Sequence, residues 1–409
     1  MWYLKAATYI QNTSTAVAFV STNSITQGEQ VGVLWGELLK RGMRIRFAHR
    51  TFSWESEARG KAHVHVVIIG FGTTDAPDKR IYDYEHDANT PTVIAAKNIS
   101  PYLVDGPDAV VVNRSRPLCA VPVMLSGNQP IDNGNYLFTP EERTAFLKQE
   151  PQAEPYFKRW LGGEEFLNGI ERWCLWLGDC KPEQLKLMPK CLERVERVRA
   201  YRLASQRAST VKLASLPTRF QVEFVAEKPF LAMPEVSSER RRYIPIAYLT
   251  PEYMAGNKLR VVTEATMYHF GILTSGMHMA WVTRVTGRLK SDYGYSIKLV
   301  YNNYPWPEVP TDKQRAAVET AAQGVLDARA KFADASLAAL YDPLTMPADL
   351  TKAHATLDRA VDLCYRPKKF ESDRERVEFL FELYEKLSAP LTAAEKPARR
   401  RKTSDPPAE

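Results

Sequence analysis

The sequence predicts three units in a row: an α/β unit forming part of a doubly wound sheet, an α+β unit, and an all-α bundle. Three observations carry that prediction. Short apolar runs alternate with a helical stripe over the first seventy-odd residues. Helical and extended stretches mix from Thr139 to Pro307, and beyond Pro310 only helical periodicity remains. The units fall at 1–75, 131–308 and 309–390, with a connector over 76–130 and a basic, disordered tail over 391–409.

In order along the chain, Trp2 to Ile10 reads as a helix and Val17 to Val20 as a strand ending in the turn Ser21-Thr22-Asn23-Ser24. Gln30 to Arg41 is helical, with Val33, Leu34 and Leu38 on one side. Arg44 to His49 and Val64 to Phe71 are two further strands, and strand, helix, strand in this order indicates a doubly wound unit. A strand as apolar as Val66-Val67-Ile68-Ile69 expects neighbours on both sides and helices on both faces, so three strands make half a sheet. Gly72 to Gln129, rich in Asp, Pro, Asn and Thr, reads as a connector with short extended pieces such as Ala109 to Val112. Thr139-Pro140-Glu141-Glu142 is a capping box with proline in the first helical position. Lys190 to Lys212 reads as one long basic helix, with Arg194, Arg197, Arg199, Arg202, Arg207 and Lys212 against Glu193 and Glu196. Thr311 with Gln314 and Ser372 with Glu375 are two more capping boxes. Leu357, Ala360, Val361 and Cys364 form an amphipathic stripe, as do Val377, Leu380, Phe381 and Tyr384.

A length of 409 residues, at roughly 150 per domain, allows two to three domains. Hydrophobic residues at 44% and charged residues at 25% exclude a wholly disordered chain. The longest apolar stretch, Val64 to Phe71, is far too short to span a bilayer, so no membrane partner is expected. The chain opens without the basic start and apolar core of a secretory leader, which points to a cytoplasmic location. Five scattered cysteines without a Cys-x-x-Cys pair read as reduced thiols, and the seven histidines form no ligand set, so no metal is expected. Fifty-five basic against 48 acidic residues give a net charge of +7, which permits a polyanionic partner without demanding one.

Several strings are too specific to be composition. They include Ala18-Phe-Val-Ser-Thr-Asn-Ser-Ile-Thr-Gln-Gly28, Phe47-Ala-His-Arg-Thr-Phe-Ser-Trp54 and Ala62-His-Val-His-Val-Val-Ile-Ile-Gly-Phe71. Further on stand Gly163-Glu-Glu-Phe-Leu-Asn-Gly-Ile-Glu-Arg-Trp-Cys-Leu-Trp176 and Pro234-Glu-Val-Ser-Ser-Glu-Arg-Arg-Arg-Tyr-Ile-Pro245. The strongest are Phe270-Gly-Ile-Leu-Thr-Ser-Gly-Met-His-Met-Ala-Trp281, Gly287-Arg-Leu-Lys-Ser-Asp-Tyr-Gly-Tyr-Ser296 and Tyr301-Asn-Asn-Tyr-Pro-Trp-Pro307. Together they closely resemble the MmeI-like (Type IIL) family of adenine-specific DNA methyltransferases, often fused to a restriction nuclease. The resemblance runs from Trp2 to about Ser388 and matches the carboxyl-terminal half of such proteins. It implies the end of a class I methyltransferase sheet, then a target recognition domain, then a helical terminal domain.

That class of enzyme needs a glycine-rich turn to hold S-adenosylmethionine and an Asn-Pro-Pro-aromatic loop to hold the adenine amino group. Gly70-Phe-Gly72 is followed by Thr-Thr-Asp-Ala-Pro rather than a helix, and the only Pro-Pro pair is Pro406-Pro407. No catalytic residue is therefore assigned in this chain. The resemblance and the half-sheet agree on a separately encoded or missing amino-terminal methyltransferase portion as a partner, with S-adenosylmethionine bound in the complete enzyme. Methyl transfer by this chain alone is not expected. A stand-alone DNA-binding specificity subunit and a truncated gene remnant are the alternatives.

The resemblance also implies site residues. Variable positions that read base edges correspond to Lys290 and Asp292. Two residues apart in an extended segment they point to one side, lysine suited to guanine and aspartate to the cytosine amino group. Gly294, at the next alternate position, has no side chain with which to read. Ser237, Ser238, Arg240, Arg241, Arg242, Arg288, Tyr293 and Tyr295 suit phosphate and other DNA contacts. Phe52 or Trp54 is the stacking platform expected for a flipped adenine, against the alternative of a core aromatic. Asn23 and Ser24 read as a structural turn, and His278 as a hydrogen-bonded core histidine. The basic helix either tracks the DNA backbone or is a solvated face.

Overall fold

The computed structural model describes residues 1–54, 64–84, 87 and 90–394. The tail expected over 391–409 lies outside this range from 395 onward.

The first unit comprises helix α1 (Trp2–Tyr9), strand β1 (Ala16–Thr22), helix α2 (Glu29–Lys40), and strands β2 (Arg44–Trp54), β3 (Val64–Gly72), β4 (Lys79–Asp83) and β5 (Thr92–Ala96). All five strands form one sheet in the order β1-β3-β2-β4-β5. Here β3 runs antiparallel to both β1 and β2, and only the β2–β4 pair is parallel. The sheet is therefore mixed, where strand, helix, strand had suggested a uniform doubly wound one. β3 does have a neighbour on each side, as its apolar run demands. Val67, Ile69 and Phe71 are fully buried beneath α1 and α2, with Phe71 stacked on Tyr3 at 5.3 Å and edge-on to Trp35 at 6.5 Å. β1 has no second strand beside it among the described residues. β4 and β5 come from the segment read as a connector. Their apolar content is short (Lys-Arg-Ile-Tyr-Asp and Thr-Val-Ile-Ala-Ala), and the Asp- and Asn-rich flanks mask it.

The second unit begins with strands β6 (Met124–Ser126) and β7 (Leu137–Phe138), helix α3 (Pro140–Gln149), β8 (Phe157–Leu161), α4 (Gly163–Asn168) and β9 (Trp173–Leu175). Helices α5 (Pro182–Lys186), α6 (Pro189–Leu203) and α7 (Ala208–Leu213) follow, then strands β10 (Phe230–Pro234), β11 (Val236–Ser237), β12 (Ala247–Leu249), β13 (Tyr253–Ala255) and β14 (Leu259–Val262). The unit closes with α8 (Met267–Leu273), α9 (Gly276–Val285) and the hairpin β15 (Gly287–Leu289) and β16 (Asp292–Gly294). Three small sheets result: β12-β10-β14-β6, β11-β16-β15 and β13-β8-β9-β7. The capping box at Thr139 and Glu142 forms as expected. The long basic helix does not: it breaks after Leu203 and resumes at Ala208. Buried Arg202 explains the break, because its guanidinium gathers the carbonyls of Pro130, Ile131, Leu213, Leu216 and Arg219 at 2.7–3.2 Å. The returning chain must fold back around it.

The third unit is helical: α10 (Asp312–Ala330), α11 (Leu337–Leu340), α12 (Ala348–Tyr365) and α13 (Asp373–Ala394). Thr311 and Gln314 make a complete capping box. At the third predicted box Ser372 caps Glu375, but the Glu375 carboxylate turns instead to Arg366 at 2.6 Å. Trp281 of α9 packs on Phe381 and Tyr384 of α13 at 5.3 and 5.5 Å, and Tyr102 packs on Phe381 at 4.8 Å. One apolar core thus runs through the first unit, α8–α9 and the helical unit. Among the described residues no helix is long and apolar enough to cross a membrane.

Candidate nucleic-acid interface

A cleft of about 450 Å³ lies where the three units meet. The first unit contributes Asn23, Gln27 and Arg50, the second the loop Glu239–Arg242 with the β15–β16 tip, and the third Asp373 and Arg374. Eight arginine or lysine side chains line it, against the carboxylates of Asp83, Glu239 and Asp373. A concave surface with that excess focuses a positive potential suited to a polyanion.

The partners of these cations sort them. Arg50, buried on β2, pairs with Asp83 and donates from Nε to the Leu103 carbonyl at 2.8 Å. Arg374 pairs with Glu378 at 3.5 Å. Arg240, Arg241, Arg242 and Lys290 make no ion pair among the described residues, and Arg240, Arg242 and Lys290 are exposed. Burial pulls the half-buried Arg241 guanidinium below its ordinary value. Charges left open to solvent in a cleft are the ones available to phosphates.

The hairpin is braced from below. Arg288 lies over the Tyr293 ring at 4.0 Å and donates to the Ser291 carbonyl at 2.7 Å and to Glu239 at 3.3 Å. In return the Glu239 backbone N–H donates to Asp292 Oδ1 at 3.4 Å. Hairpin and arginine loop are therefore cross-bonded. Lys290 and Asp292 do not sit on one extended strand: Leu289 pairs with Asp292, and Lys290 and Ser291 form the two-residue tip. Lys290 has φ +58°, a left-handed conformation for which such tight hairpins favour glycine, asparagine or aspartate. A lysine held there costs about 1 kcal/mol, and its side chain reaches the cleft rim together with Ser291. Asp292 is half-buried against the arginine loop.

Other expected contacts move inward. Tyr295 is buried, and its hydroxyl donates to His278 Nε2 at 2.9 Å. His278 Nδ1–H donates to the Leu273 carbonyl at 2.7 Å, and burial pushes the imidazole down to about 4, so it is a neutral structural group. Tyr295 therefore supports the hairpin from the core and does not face the cleft. Ser237 is also buried, facing Tyr293 across β11–β16, and Tyr293 itself shows only its edge to the cleft. Their positions in the string gave no sign of this, because an edge strand and a surface loop share the same Ser-Ser-Glu-Arg composition. Ser238 remains half-exposed beside Arg240, whose N–H it accepts at 3.3 Å.

Phe52 and Trp54 do not line the cleft. A register shift between His49 and Phe52 keeps Phe52 on the same side of the sheet as His49. There His49 stacks on Tyr82 at 4.3 Å, Phe52 packs on Tyr84 at 4.9 Å, and Trp54 follows at 6.3 Å. Trp54, 49% exposed, is the open end of this ladder. Sequence reasoning missed Arg50, whose neighbour Phe52 drew attention, and Gln27 and Arg374, which only the fold brings near. Asn23 and Ser24 lie in the expected tight turn, where Thr26 Oγ1 donates to the Asn23 carbonyl at 2.9 Å. The basic helix lies outside the cleft: Arg194 sits over Phe138 at 4.0 Å, and Arg197 and Arg199 pair with Glu193 and Glu196. Among the described residues no group of three or more His, Cys, Asp and Glu is placed to hold a metal, and all five thiols are free.

One contact ties the first unit to the hairpin. Gly28, before α2, donates to the Val285 carbonyl at 3.1 Å, and a Cβ on Gly28 would stand 3.0 Å from Gly287 Cα. Its φ of +65° is a second reason for glycine there.

Three family profiles match most of the chain: "MmeI, DNA-methyltransferase domain" over residues 1–83, "MmeI, target recognition domain" over 105–308 and "MmeI, C-terminal domain" over 309–392. The chain belongs to the MmeI family. A curated relative, DNA methyltransferase A of Bacillus subtilis (strain 168), is 42% identical over 387 residues, covering 95% of this chain and 43% of that protein. The solved structure of the Type IIL restriction-modification enzyme MmeI in complex with DNA superposes with a TM-score of 0.85 at 47% identity, covering 95% of this chain and 52% of that one. The chain spans about half the length of the MmeI relatives it matches.

Proposed function

We propose that this chain is the carboxyl-terminal part of a site-specific, adenine-N6 DNA methyltransferase of a restriction-modification or phage-defence system, and that it supplies target recognition. The observation that carries the reading is the cleft: unpaired Arg240, Arg241 and Arg242 beside a braced hairpin, built jointly by three units of one DNA methyltransferase family. In this reading duplex DNA lies in the cleft, the arginine loop with Ser238 holds phosphates, and Lys290 at the hairpin tip meets base edges. Asp292 keeps its second carboxylate oxygen for the same base pair while the first accepts from Glu239. Trp54 is the better stacking platform for a flipped adenine, since its ring is the one left open. The protein acts where DNA is, in the cytoplasm.

The Gly-x-Gly at the end of β3 does not fit S-adenosylmethionine. A Cβ on Gly70 would run into the Phe47 ring, so the Gly-x-Gly at the end of β3 serves close packing and cradles nothing. The cofactor and the amino-gripping loop belong, on this reading, to a preceding methyltransferase portion. The free edge of β1 offers that portion a strand to extend. The test is co-expression with such a portion, followed by mapping of methylated adenines. Methylation at one asymmetric or palindromic site is expected with both parts and none with this chain alone. Robust incorporation of labelled methyl groups by the purified chain refutes the division of labour, and specific binding without methylation in the pair leaves a specificity subunit.

A further inference from the structure

The arginine loop is held from outside the cleft, by the helical unit. Directly after Arg242 the chain dives inward, and Tyr243, Ile244 and Ile246 are buried. The Tyr243 hydroxyl donates to Asp358 Oδ2 at 2.8 Å, and its ring stacks on His354 at 4.0 Å and 15°, both residues of α12. Three residues on, the Ile246 carbonyl accepts from Arg329 of α10 at 2.5 Å.

The other oxygen of Asp358 has a different task. Oδ1 accepts the backbone N–H of Gly276 at 2.7 Å, at the first residue of α9. A Cβ on Gly276 would stand 3.0 Å from Asp358 Oδ2, so a larger residue there would push the carboxylate back by a few tenths of an ångström. α9 leads straight into the β15–β16 hairpin, and its Thr283 and Arg284 line the cleft. One buried carboxylate therefore bonds both DNA-facing elements. An amide would hold both partners only with the Tyr243 hydroxyl turned from donor to acceptor, whereas a residue without either oxygen would release both.

We propose that Asp358, which does not line the cleft, is a positioning residue that fixes the arginine loop against α9 and so sets how many phosphates the cleft engages at once. This rests on the DNA reading of the cleft given above. Loosening the joint leaves the arginines present but no longer presented together, which lowers the count of ions released on binding rather than only the folded fraction.

The test uses the full chain with Tyr243→Phe, which keeps the ring on His354 and deletes one bond, and with Asp358→Ala, which removes both acceptors. DNA affinity is measured across a salt series by fluorescence anisotropy, and trypsin cleavage after Arg240, Arg241 and Arg242 is timed without DNA. We expect each variant to bind about 5-fold more weakly, with a salt slope shallower by about one contact. Cleavage in the loop should be about 10-fold faster. A merely structural role would lower melting temperature and active fraction but leave the slope of the folded protein unchanged. Wild-type DNA binding with wild-type slopes in both variants overturns the positioning role alone. Should the wild-type chain have no affinity for DNA, the cleft's function and this role fall together, which the unchanged or faster cleavage then distinguishes from loss of the joint itself.

Discussion

Two segments of this chain look alike in sequence and differ in their work. The stretch 194–202 and the stretch 238–242 are both rich in arginine. In the first, Arg202 is buried among five carbonyls, Arg194 covers Phe138, and Arg197 and Arg199 are paired with glutamates one turn away. In the second, Arg240 and Arg242 are exposed and make no ion pair among the described residues, with Asp358 and Asp373 acting on Arg242 only at longer range. The difference teaches that the number of guanidinium groups says little about polyanion binding, whereas their unmet hydrogen-bonding capacity says a good deal.

Mutations break or sharpen this contrast. The largest effect is expected from Arg202→Met, which strips the guanidinium from five carbonyls, of which only Leu213 and Leu216 keep a backbone donor, and should cost about 3–5 kcal/mol of stability, read as a lower urea midpoint. The salt slope of DNA binding by the protein that stays folded should not change. Replacing Arg240, Arg241 and Arg242 together with glutamine should do the converse: a melting temperature within a few degrees, but DNA affinity down about 100-fold and a salt slope shallower by about three contacts. An unchanged slope would remove the loop from the interface. Exchanging Lys290 for Glu together with Asp292 for Arg should alter preference at one base position by about 1–3 kcal/mol, seen in a bind-and-sequence experiment. Retention of the same preferred site refutes the readout role. The smallest effect belongs to Arg197→Ala with Arg199→Ala, which breaks two exposed pairs and should shift stability by under about 0.5 kcal/mol without touching DNA affinity.

Local signals were legible wherever one short stretch determines its own shape. The boxes at Thr139 and Thr311 form because a hydroxyl and a glutamate or glutamine three residues on need nothing else. The third fails by half because Arg366, from another helix end, outbids Ser372 for Glu375. β4 and β5 were hidden by their flanks and exist because β2 offers an edge, which no window of sequence contains. The site shows the same division. Arg240 to Arg242 and Lys290 stand where a solvent-facing loop and a hairpin tip place them. Ser237 and Tyr295 turned inward because β11 and β16 pair over the core, and alternation along a strand sends every second residue of an apparently surface string inside. Arg374 and Gln27 could not have been found, since three units must meet before they share a wall with the hairpin.

The glycine-to-glycine abutment of 28 on 287 leaves no room for a cushion between the sheet unit and the β15–β16 hairpin. Two backbones in direct touch behave as a single rigid gauge. If one end of that gauge sits on a chosen base pair and the other beside the base to be marked, their separation along the duplex is constant in units of helical rise. Retuning the hairpin would then rewrite which letters are accepted while the offset of the marked letter stays the same. A bulkier residue at 28 would then blur that offset before it blurred the letters.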